Sequence, residues 1–154
     1  MEGCADMAER RTLKFASLDD IIAEADHLLA GHETVGKWSL GQICNHLATA
    51  FKLVNDGGLQ RAPRPGSDAL RTRFFALSRF PEGTNPPIPV MLPAEGLDDR
   101  EQAGFLRGEV RRFADSAGPF ASHPLLGTLT KDEWIRFHCM HAAHHFGFAV
   151  PTPD

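Results

Sequence analysis

The chain has 154 residues, of which 42% are hydrophobic and 23% charged, and its formal net charge is -4. This length suits one domain with its own core, and this balance excludes disordered and fibrous classes. A mildly acidic chain offers no clustered Lys and Arg for a phosphate backbone or an anionic lipid surface, so neither nucleic acid nor a membrane is expected as a partner.

The opening residues Met1 to Asp6 lack the apolar run of a secretory signal, and no stretch has the roughly 18 apolar residues of a membrane span. A cytoplasmic protein is expected. Cys4, Cys44 and Cys139 are odd in number and lack metal-ligand spacing, which suits reduced thiols; Cys44 and Cys139 read as core fillers.

In chain order, residues 1–12 read as a flexible lead-in to a single domain. From Leu18, the apolar residues Ile21, Ile22, Ala25, Leu28 and Leu29 recur at helical steps, with Ser17 as N-cap and Gly31 as stop. A second helix begins at Ser39, where Gln42 completes a capping box, and ends at Asp56-Gly57-Gly58. From Leu59 to Leu97 the chain is rich in Pro and Gly and reads as a long crossover, broken by a short periodic piece around Leu70 to Leu77. Connections of this length form lids, binding loops or flexible segments, so it is a candidate wall for a site. A third helix is predicted from Asp98 to Ala117, and a fourth from Thr130, boxed by Glu133, to Ala149. No strand pattern stands out. Four amphipathic helices and one long connection predict an all-α bundle, in which sites are built from side chains on facing helices.

The fourth helix carries the most chemistry. Trp134, His138, His141, His145 and Phe148 share one stripe at 100° per residue, with His144 toward its edge. His141 and His145, four residues apart, stand one above the other and can converge on one ion. His46 lies at the core edge of the second helix and supplies a third imidazole. Three neutral imidazoles would leave coordination positions open for water or substrate, and such nitrogen ligands favour zinc or nickel over magnesium or calcium. Because the ligands must be neutral, occupancy is expected to fall below about pH 6. Ala142 stands where a His-Glu-x-x-His protease has its general base, which disfavours that chemistry.

The other polar candidates each have a plainer reading. His138 reads as a hydrogen-bonded imidazole beside the site, the alternative being a fourth ligand or proton shuttle. Glu109 reads as a salt-bridged rim residue, the alternative being an acceptor for a ligand's second N–H. His144 reads as an edge residue, and His27, His32 and His123 as solvated surface. Trp38 and Trp134 read as packing.

Lys37-Trp38-Ser39-Leu40-Gly41-Gln42-Ile43-Cys44-Asn45-His46-Leu47, the stretch from His123-Pro124 to Trp134, and His141-x-x-His144-His145 together resemble the DinB/YfiT-like superfamily, more narrowly one of its uncharacterised branches. The resemblance implies an up-down-down-up four-helix bundle whose metal ligands are His46, His141 and His145. Many members have Arg-Gly-Gln after the last ligand, where this chain has Phe146-Gly147-Phe148, so a substrate role at those positions does not carry over. Similar families include transferases and isomerases that use low-molecular-weight thiols. The implied function is thus a metal-dependent enzyme acting on a small molecule, with thiol S-transfer first and hydrolysis second. A non-catalytic metal-binding or partner-binding bundle is the alternative, and a homodimer is left open.

Overall fold

The computed structural model describes residues 9–57, 65–81 and 89–153. Within these it is mostly helical, and each long helix starts where side-chain chemistry can satisfy its first amides. Helix α1 (Leu18–Leu29) begins after Ser17, whose N–H donates to the Asp20 carboxylate at 3.2 Å. The hydroxyl of Ser39 accepts from the N–H of Gln42 at 3.1 Å and opens α2 (Leu40–Asp56), which stops at Gly57 with φ of 71°. That left-handed turn costs glycine nothing and any β-carbon something. A short α3 (Ser67–Phe75) occupies the crossover, and the three residues Pro89–Met91 form a 3₁₀ turn. Helix α4 (Asp99–Asp115) is capped by Asp98, and α5 (Lys131–Phe146) by a Thr130–Glu133 box.

The core is the meeting of the apolar faces of α1, α2, α4 and α5, with Ile21, Leu28, Leu47, Phe51, Leu106, Phe113, Trp134 and Phe146 all buried. A polar seam holds α2 to α4: the Gly41 N–H donates to Asp99 Oδ1 at 2.7 Å and Asn45 Nδ2 to Gln102 Oε1 at 2.9 Å. These bonds set the rotation of α2 about its axis and thus the direction of His46.

Two features depart from the sequence expectation. Helix α5 ends at Phe146 rather than Ala149, and Ala149–Pro151 (β2) pairs antiparallel with His32–Thr34 (β1), His32 opposite Pro151. Strands of three residues have no measurable alternation, and only the folded chain brings these two together. The lead-in is the second feature: residues 1–8 lie outside the described residues, but the Arg11 N–H donates to the Gly147 carbonyl at 2.8 Å, and its guanidinium pairs with Glu24 at 2.8 Å. A β-carbon on Gly147 would lie 2.4 Å from the Arg11 carbonyl oxygen, so only glycine admits this close approach. No helix among the described residues is long and apolar enough to cross a membrane.

Candidate metal centre

Helices α2 and α5 face each other so that His46, His141 and His145 meet, with one ligand atom of each within 4.8 Å of the others. His46 and His141 are 3% and 5% exposed, and His145 is half-buried. The nearest pair, Nε2 of His46 and Nε2 of His141, is 2.9 Å apart. Ligand nitrogens around a tetrahedral zinc at about 2.05 Å would be separated by about 3.3 Å, within the span of these distances.

The tautomer of His46 is set from the crossover. Its Nδ1 lies 2.7 Å from the Met91 carbonyl oxygen, which can only accept, so Nδ1 carries the hydrogen and Nε2 presents a lone pair to His141. Two imidazole nitrogens facing at 2.9 Å need one hydrogen or one cation between them. A carbonyl holding the far nitrogen of a ligand histidine is the usual support for a bound ion. Trp38, read as packing from sequence, borders the centre, stacked on His145 at 5.4 Å and tilted against His46 at 5.0 Å between ring centroids.

Electrostatics keep all three rings neutral. Burial pushes the pKa of His46 down, and that of His141 well below its ordinary value, helped there by the neighbouring histidines. His145 falls to about 2 through burial and then the positive forms of His46, His144 and Arg10. Neutral imidazoles are what a divalent cation requires, so these residues fit one. The two thiols among the described residues do not compete: burial raises Cys44 to about 12 and Cys139 to about 11, leaving both protonated.

A cavity of about 790 Å³ opens onto the triad. The crossover supplies much of its wall, including Phe74, Leu77, Phe80, Met91 and Leu92, with Trp134 and Phe137 facing them from α5. His144 lines it too, its Nδ1 accepting from Arg10 Nη2 at 2.8 Å.

Two sequence readings are corrected, at His123 and His138, and one alternative, at Glu109, falls away. His123 is a cavity residue rather than solvated surface: its Nδ1 accepts the N–H groups of Leu125 and Leu126 at 3.0 and 3.1 Å, so the neutral ring carries its hydrogen on Nε2. His138 is neither ligand nor hydrogen-bonded. It is 1% exposed, both nitrogens lack a partner, and it stacks on Phe51 at 3.7 Å with Trp134 and Phe113 around it. Glu109 is salt-bridged, as read from sequence, accepting from Arg112 Nη1 at 3.2 Å and Asn55 Nδ2 at 3.0 Å, and it accepts from no ligand histidine. Of the other two histidines assigned to the surface, His27 is exposed and His32 half-buried, its ring bonded to the Leu28 carbonyl at 2.9 Å.

Comparison with protein families matches residues 7–152 to a family described as a protein of unknown function, DUF1569. The chain belongs to the DUF1569 family. No curated protein and no solved structure matches it. Membership covers α1 through β2, so the triad, the Met91 turn and the cavity wall all fall inside the family's domain.

Proposed function

We propose that this DUF1569 protein is a metal-dependent enzyme of the DinB/YfiT-like type that transfers a thiol or hydrolyses a small electrophile. The observation that carries the reading is the buried, neutral His46–His141–His145 triad at the end of an apolar cavity. On this reading α1, α2, α4 and α5 form the up-down-down-up bundle of that superfamily, and zinc or nickel is the occupant, consistent with three imidazole donors. A divalent ion there supplies Lewis acidity and lowers the pKa of a bound water or thiol.

The protein's own part is positional. Met91 holds the His46 ring by its Nδ1–H, and Trp38 lies over the ring of His145, so neither can turn its lone pair away without losing a contact. Phe80 and Phe137, with ring centroids 5.0 and 5.6 Å from His141, keep the wall beside the triad apolar, which strengthens electrostatic interactions within it. His123, which also lines the cavity, carries an N–H on Nε2 that a substrate acceptor can use. Fold alone does not establish chemistry, so the test addresses the site itself. Cobalt(II)-substituted protein is titrated with small thiols while its visible absorption is followed. A saturable spectral change is expected with the wild type and is lost in His141→Ala. A spectrum that no thiol perturbs removes the thiol-transfer reading; a spectrum also insensitive to pH between 6 and 9 removes hydrolysis and leaves a structural metal.

A further inference from the structure

A second, smaller cavity of about 220 Å³ is bordered by His144, next along α5 from His145 of the triad. Arg10, Arg11, Lys14, Arg79 and Arg136 line it and, among the described residues, no carboxylate does, although the chain as a whole is acidic with net charge -4. Some of these cations are committed: Arg11 pairs with Glu24 at 2.8 Å, and Arg136 donates to the Phe75 carbonyl at 2.8 Å. Lys14 and Arg79 are exposed and form no side-chain hydrogen bond or ion pair among the described residues. Like charges gathered around a concavity raise the local potential and repel one another until an anion enters. The guanidinium plane also matches the two oxygens of a carboxylate or phosphate.

The two cavities are neighbours: His144 and Leu77 line both. Pockets for whole small ligands run from about 300 to 1,000 Å³, which the larger cavity satisfies and the smaller does not. A volume of 220 Å³ suits the charged end of a ligand whose remainder lies elsewhere. We propose that the Lys14–Arg79 pocket binds the anionic group, carboxylate or phosphate, of an amphipathic small molecule whose apolar body occupies the triad cavity. Specificity then divides between the two chambers. The basic one selects a terminal negative charge, and the aromatic one, through Phe74, Phe80 and Phe137, selects an apolar body.

The pocket is tested on metal-free full-length protein, so that failure here leaves the metal reading intact. Calorimetric titration at low ionic strength uses inorganic phosphate, succinate and n-hexyl phosphate. Saturable binding that added sodium chloride weakens is expected, with n-hexyl phosphate at least roughly tenfold tighter than inorganic phosphate because its chain leaves water. Lys14→Gln with Arg79→Gln should weaken each at least tenfold, while the metal content of the protein as purified and the thermal unfolding of the metal-free form stay at wild-type values because both side chains are exposed. Absence of saturable heat with all three anions overturns the pocket, as does a double variant that binds like the wild type. Equal affinity for the two phosphates overturns the joined-chamber assignment.

Discussion

Removing the buried His138 ring should flatten the acid dependence of stability. In the folded protein its pKa is pushed down to about 3, by burial first and by the charge of His123 second, whereas an unfolded imidazole titrates near 6.5. Well above pH 6.5 neither state is protonated at this residue, and it contributes no slope. Below 6.5 the unfolded chain takes a proton that the folded core refuses, so stability falls by about 1.4 kcal/mol per pH unit until the folded value is reached. Between pH 6.5 and 4.5 this amounts to about 2.3 kcal/mol, since the unfolded ring is already half protonated at 6.5, and the figure does not depend on the folded value so long as that stays well below 4.5. His138→Phe abolishes the contribution and removes two nitrogens that lack partners, while the larger ring adds a strain of about 1 to 3 kcal/mol that is constant with pH. The assay is urea unfolding of metal-free wild type and variant at both pH values. The wild type should lose about 2.3 kcal/mol more than the variant on acidification. A difference below about 1 kcal/mol would mean that the ring finds a partner or takes a proton in the folded state, and would refute the reasoning.

His141→Ala with His145→Ala should abolish stoichiometric metal by mass spectrometry of the purified protein, while His27→Ala, on the exposed side of α1, retains it. The downward shifts at His46, His141 and His145 place proton competition below the ordinary imidazole range, so metal should persist on dialysis at pH 5.5 rather than leave near pH 6; half-loss at 6.5 with the fold intact would contradict this. Gly147→Ala drives a β-carbon against the Arg11 carbonyl and should lower stability by about 1 to 3 kcal/mol in thermal melts, with faster proteolysis before α1. His123→Ala leaves the N–H groups of Leu125 and Leu126 without their acceptor and should cost about 1 to 2 kcal/mol in denaturant unfolding, the lower part of the range because this turn is partly exposed.

The helices were legible in the sequence because their signals are local. Ser39 with Gln42, Thr130 with Glu133, and apolar residues at three- and four-residue steps act within a turn or two of themselves, and the four predicted segments correspond to α1, α2, α4 and α5. His141 and His145 were legible for the same reason, since four residues along a helix set two side chains on one face whatever the rest of the chain does. His46 entered through its place on the apolar face of α2. The rest of the site joins residues that no local period relates. Met91 reaches His46 across 45 positions and Arg10 reaches His144 across 134, so the held tautomer and the basic chamber exist only after packing. Trp38 and His123 became walls of the site, and His138 an isolated ring among aromatics, because the partner of a side chain depends on which elements meet. The local code decided which segments are helices and which face each one buries; tertiary packing decided what the buried polar groups touch.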